Sequence, residues 1–163
     1  MEMLQKEGIT VHGPRHMKRK NPDGISLNWS LCYPPQERLP FFMSPYHPNI
    51  VLPPSKTEHP NGATGFKELV VSTRSWEKDL EYYKKMYRQT PPLEREGSIR
   101  LCRFQLEGTS VVLEEGRMDG VQRVLLKAKT SAANGLNQNL CHGAELMLEP
   151  EEQLVERGLK EHN

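Results

Sequence analysis

HPNGATGFKELVVST, residues 59 to 73, is the stretch whose reading decides the fold. Pro60, Asn61 and Gly62, with Gly65 close behind, form a turn signature: proline presets one backbone angle, and asparagine and glycine tolerate the left-handed one. Phe66 to Thr73 then reads as a strand, rich in the β-branched residues that suit a pleated surface. Glu68 is out of place at the head of Leu69, Val70 and Val71. Either it faces solvent, or it lines a concave sheet face where ligands or metals sit.

The next residues extend the pattern. Ser75 stands where a helix N-cap belongs, and SWEKDLEYYKKMYRQ comes after it. Trp76, Leu80, Tyr83 and Tyr87 recur at spacings of four, three and four, so a helix puts them on one face. Glu81 and Lys85 make a favourable pair one turn apart. TPPLEREG stops the helix, because two prolines cannot continue it. IRLCRFQLEG and TSVVLEEG are then two strands joined at Glu107-Gly108, and GVQRVLLKAKT is another. From Phe66 to about Thr130 the order is strand, helix, strand, strand, strand. The remainder is Asn-rich and looped, with one further candidate strand at Ala144 to Leu148 and a polar tail.

Upstream, ISLNWSLCY alternates over its whole length. Ile25, Leu27, Trp29, Leu31 and Tyr33 take one face, and Ser26, Asn28, Ser30 and Cys32 take the other. An Asn-Pro-Asp-Gly turn precedes it, and the basic cluster RHMKRK, residues 15 to 20, lies before that turn. LPFFM reads as a short strand or a buried turn. Residues 44 to 64 are rich in Pro, His, Asn and Ser; proline removes ladder donors, so this segment reads as a long connection between two halves. Met1 to Glu7 reads as the last turns of a helix, stopped by Gly8.

The totals restrict the function classes. At 163 residues the chain is one ordinary domain or two small modules. Its 22 basic and 21 acidic side chains nearly cancel, so no overall charge draws it to nucleic acid or a membrane surface. RHMKRK lacks interleaved aromatic residues and reads as a solvated hairpin tip. No apolar run approaches the roughly 20 residues that span a bilayer, and MEMLQKEGI lacks the pattern of a secretory signal. Cys32, Cys102 and Cys141 are widely separated and odd in number, which suits reduced thiols. The expected location is cytoplasmic, with no nucleic-acid or membrane partner. Phosphate loops, serine-nucleophile elbows and His-x-x-x-His zinc motifs are absent from the sequence.

A βαβββ unit behind a long linker resembles the module of the vicinal oxygen chelate superfamily, and the chain is similar within it to the glyoxalase-like domain proteins. GPRHMKRKNPDGISLNWSL, LPFFM, HPNGATGFKELVVS and the helix with Trp76 and Tyr83 carry the resemblance, over roughly residues 5 to 130. It implies an α+β fold: a curved mixed sheet, with residues 65–130 as one βαβββ module, 1–43 as the remnant of another, 44–64 as the linker and 131–163 as a C-terminal extension. It further implies that the strands carrying the first module's usual His and Glu lie ahead of Met1. The chain would then be a fragment or a form without its front, or would complete its sheet with a second copy. A half-module exposes sheet edge, so a homodimer is expected.

In such proteins a divalent metal sits on the concave face, held by His and Glu from the first and last strands of each module. Glu68 occupies a slot where His is usual. Carboxylate ligates Mn, Fe or Zn, so Glu68 is the single metal-ligand candidate, in an incomplete set. The matching slot in TSVVLEE falls near Val112, which binds no metal; Glu114 would serve only with a shifted register. Arg103 and Gln105 share the face opposite Cys102, Phe104 and Leu106, so they too are cup-lining candidates. Arg103 would bind a ligand carboxylate or phosphate, or pair with Glu68 across the sheet. His59, at the head of the turn, either reaches the pocket or caps the turn. No catalytic residue is assigned. The expected function is a small-molecule-binding or inactive cup; the alternative is a metal-dependent lyase, isomerase or dioxygenase acting on a small oxygenated substrate.

Overall fold

In a computed structural model, residues 6–50, 58–129 and 143–150 are described, and the chain divides into two units. The first comprises residues 1–53 and 81–89, the second 54–80 and 90–163. The tail and the cysteine at position 141 fall outside the described residues, as do most of the Asn-rich segment and part of the expected linker.

Asn21 organises the first unit. Its side-chain Oδ1 accepts from Ile25 N–H at 2.8 Å and its backbone exchanges with Ile25 and Gly24, closing a turn in which Gly24 has φ +80°. That turn joins β1 (His12–Lys20) to β2 (Ser26–Tyr33), and β3 (Phe42–Met43) adds to the other side of β2, giving an antiparallel sheet of order β1-β2-β3. Leu27 and Leu31 are buried while Asn28 between them is exposed, as the alternation of ISLNWSLCY requires. RHMKRK lies elsewhere than expected. These residues form the body of β1, and the hairpin tip is Asn21–Gly24. Aromatic rings reach them from β2 and from the stretch after β3: Arg19 stacks over Trp29 and Tyr46, and Arg15 over Tyr33.

The second unit opens at the His59–Gly62 turn, where Gly62 N–H donates to His59 C=O at 2.8 Å and Gly62 has φ +74°. β4 (Ala63–Thr73) leads into α1 (Trp76–Tyr87), whose last turns belong to the first unit. β5 (Glu94–Glu96), β6 (Ile99–Leu106), β7 (Thr109–Glu115), β8 (Gly120–Ala128) and β9 (Glu145–Pro150) follow. The sheet order is β5-β6-β7-β4-β8-β9, with β4/β7 and β8/β9 parallel and the other pairs antiparallel. The expected βαβββ unit is therefore present as β4-α1-β6-β7-β8, in the mixed sheet of an α+β fold. The β4–β8 pairing shifts register at three places, and such bulges bend a strand. β5 and the full span of β9 are additions to the sequence reading.

The helix starts on a buried network rather than on Ser75's hydroxyl. Thr73 Oγ1 accepts from Ser75 N–H at 2.9 Å and donates to Asp79 Oδ2 at 2.5 Å, and both Thr73 and Asp79 are almost fully buried. Asp79 and Glu77 place negative charge in the first turn, where unpaired N–H groups favour it. Arg100 lies over the Trp76 ring and bonds Glu115 and Glu77, which sets the helix start on the Arg100–Glu115 face of the sheet. Cys102, Phe104, Val111, Leu113 and Val71 share that face by alternation and are buried. At the other end, Arg88 takes a left-handed φ of +54° and Gln89 N–H returns to Lys84 C=O, a helix stop completed by Pro91 and Pro92.

Candidate functional site

With one face of the second unit's sheet given to the helix, its residues alternate onto the opposite face. There Glu68, Val70 and Ser72 of β4 stand opposite Ser110, Val112 and Glu114 of β7, which in turn stand opposite Gln105, Arg103 and Leu101 of β6. The strand alternation behind the placement of Glu68 thus holds, and Arg103 and Gln105 share its face. Glu68, Ser110 and Gln105 form one row across three strands; Arg103 lies in the next, beside Val112.

Within this arrangement the Glu68 carboxylate is engaged twice. The Arg103 guanidinium donates to it, and so does the Ser110 hydroxyl, at 3.0 Å. The pair is half-withdrawn from water, with 34% of the Arg103 side chain and 19% of the Glu68 side chain exposed. Below it, Val70, Leu101 and Val112 close into a buried apolar band. Gln105 remains exposed at the edge of the row. His59 is exposed in the turn, where its backbone carbonyl accepts from Gly62 N–H.

These donors do not fit the metal expected of the superfamily. The Glu68 carboxylate is held by a guanidinium, whose charge repels a cation, and by a hydroxyl that donates to it, and its register neighbours are Ser110 and Leu125. Glu114 lies on the same face without any shift of register, but four positions beyond Ser110. At about 3.3 Å per residue that is roughly 13 Å along the strand, too far for two carboxylates to hold one ion. Among the described residues no group of three or more His, Cys, Asp or Glu side chains gathers as a metal site. Glu114 instead lines a separate cavity of about 520 Å³ with Ser72, Gln122 and the loop at Gly116–Met118.

Ser110 does not stand out in the sequence. Serine is common on strand faces, and only the β4–β7 register shows that it, rather than Val112, stands opposite Glu68. Among the described residues, no helix is long and apolar enough to cross a membrane.

Residues 1–86 match the model of a family described as glyoxalase-like domain, just over half of the chain. The matched part includes Glu68 and ends in α1, ahead of Arg103 and Ser110. No curated protein matches the chain. Among solved structures, a hypothetical protein from Staphylococcus aureus superposes with a TM-score of 0.64 at 16% identity, covering 91% of this chain and 60% of that one. The chain therefore spans about 60% of that protein's length. Methylmalonyl-CoA epimerase from Mycobacterium tuberculosis gives a TM-score of 0.43 at 13% identity, over 60% of this chain and 95% of that one, too slight a likeness to carry an argument.

Proposed function

Since the chain belongs to the glyoxalase-like domain family, we propose that it binds a small oxygenated molecule without a metal, on the sheet face that carries Glu68, Arg103 and Gln105. One observation carries this reading. The Glu68 carboxylate, which the resemblance puts in a ligand slot, is paired with Arg103 and hydrogen-bonded by Ser110, so the face offers hydrogen-bond donors and an internal ion pair in place of open metal ligands. Arg103 has guanidinium N–H groups left over, and these suit a carboxylate or phosphate on the ligand. Exposed Gln105 adds an amide that both donates and accepts.

The test is a thermal-shift screen of small carboxylates, hydroxy acids and phosphate esters against the purified chain, with and without chelator, alongside elemental analysis. A ligand that binds only the folded state raises Tm by mass action, and chelator should leave the shift unchanged. Arg103→Met should abolish it. Stoichiometric Mn, Fe or Zn in the protein, with ligand binding or turnover lost in chelator, would replace this reading with a metal-dependent lyase, isomerase or dioxygenase. A homodimer belongs to the same proposal. Among the described residues β3 pairs on one side only, and Phe41 and Met43 are exposed beside that edge. The mass in solution tests it.

A further inference from the structure

A second set of polar side chains converges in the first unit, away from the Glu68 face. Strand pairing arranges it in two rows. Lys18 of β1 stands opposite Asn28 of β2, and Asn28 is bridged to His47. His16 stands opposite Ser30, and Ser30 exchanges bonds with Ser44: Ser44 N–H donates to Ser30 C=O, and Ser30 N–H donates to Ser44 Oγ, both at 2.9 Å. The rows lie two residues apart, about 7 Å along the strands, with columns about 5 Å apart. All six residues line one cavity of about 510 Å³, within the range of small-molecule sites, and no carboxylate lines it.

The chemistry of this cavity is one-sided. Lys18 brings a full positive charge with no carboxylate partner among the described residues. The His16 ring meets Ser30 Oγ through Nδ1 at 3.0 Å, which leaves Nε2 toward the cavity or solvent. His47 is exposed, and its backbone carbonyl takes both Asn28 N–H groups, from the main chain at 2.9 Å and from the side chain at 3.4 Å. Asn28 is thereby oriented, and the Ser44 hydroxyl is fixed by Ser30 and its own bond to Pro45 C=O. β1 as a whole carries no acidic residue. Its arginines point to the other face, where they stack on rings belonging to this chain.

We infer that this cavity binds the phosphate group of a small phosphorylated molecule, with Lys18 as its charge partner and His16 and His47 as hydrogen-bond donors. A multiply charged oxyanion uses several donors at once, which is what one lysine and two imidazoles facing one cavity supply. The same basic strand is a poorer fit for single-stranded nucleic acid. That mode needs open aromatic faces for bases to stack on, and Trp29 and Tyr46 are already engaged with Arg19 and each other.

The experiment is a titration of the full chain with phenyl phosphate and with inorganic phosphate at fixed ionic strength and pH, following the histidine ring signals by NMR. Saturable binding with His16 and His47 moving together is expected. Lys18→Met should weaken it about tenfold, the loss expected for one charge-assisted bond. Lys78→Met, the same charge change on an exposed helix position, should not. His47→Gln, a second variant that keeps a neutral polar group, should weaken binding too, and circular dichroism checks that each variant is folded. A linear, unsaturable response would overturn the inference, as would equal losses in Lys18→Met and Lys78→Met. So would a single-stranded oligonucleotide that binds more tightly than phenyl phosphate.

Discussion

Removing Arg103 should cost more stability than its exposure alone suggests, because it strands a carboxylate. Arg103→Met keeps most of the side chain's apolar stem and deletes the guanidinium. Glu68 is then left with the Ser110 hydroxyl, above the buried band of Val70, Leu101 and Val112. A fully exposed pair contributes about 0.2–1 kcal/mol, whereas breaking a buried pair costs about 3–5 kcal/mol. Side-chain exposures of 34% and 19% place this pair between those limits, so Arg103→Met should destabilise by about 2 kcal/mol. Glu68→Gln removes the charge and keeps an amide that Ser110 and Arg103 can still meet, so about 1 kcal/mol is expected. The double variant should be less damaged than the two losses added, by about 1 kcal/mol, since each single change strands the partner that the other removes. Urea unfolding of the four proteins measures this, provided the denaturant slope stays constant. Additivity within about 0.3 kcal/mol would refute the reasoning. The carboxylate would then be energetically free, and the argument against a metal at Glu68 would lose its basis.

Particular contacts set three more outcomes. A methyl at Gly116 would sit 1.9 Å from Ser72 Oγ and 3.3 Å from Ser72 Cβ, and Ser72 is buried. Gly116→Ala should therefore destabilise by about 1–3 kcal/mol in urea, and adding Ser72→Ala should recover part of that loss. Arg88 holds a left-handed backbone at the helix stop, and its bond to Glu7 is an exposed ion pair, so Arg88→Gly should stabilise by about 0.5 kcal/mol; a loss of stability would show that the ion pair dominates. Burial, with a smaller contribution from Tyr87, pushes the Tyr82 phenol up to about 12 from 10.0, and its hydroxyl donates to Pro40 C=O. The unfolded chain then gives up this proton before the folded one does. Tyr82's contribution is complete below about pH 10 and drains away toward pH 12, so the fall in Tm across that window should be shallower in Tyr82→Phe.

The helix and the strands of the second unit are legible in the sequence because each is written in a local period. Trp76, Leu80 and Tyr83 repeat as a helix requires and are all buried, and the alternation around Cys102 and Phe104 sorts β6 into its two faces. The same alternation is enough to put Glu68, Arg103 and Gln105 on one side. It is not enough to say what Glu68 touches. Ser110 lies 42 residues away along the chain, and Arg103 lies 35 away.

The basic cluster shows the same division. Its charges are evident in the sequence, but it is strand rather than hairpin tip, because Asn21 and Gly24 place the turn immediately after it. The rings that meet Arg15 and Arg19 arrive from β2 and from Tyr46, so no scan of residues 15 to 20 reveals them. His47 lies in an irregular, proline-rich stretch, and only its bridge to Asn28 brings it into a row with Lys18.

By itself, then, the sequence determined the elements, the faces of each strand and the βαβββ order, since side-chain alternation and helical spacing are properties of a few consecutive residues. Tertiary structure alone decided the register between strands. Register is set by hydrogen bonds and packing between segments distant in the chain, and it chooses whether a carboxylate meets a cation, a hydroxyl or an empty face.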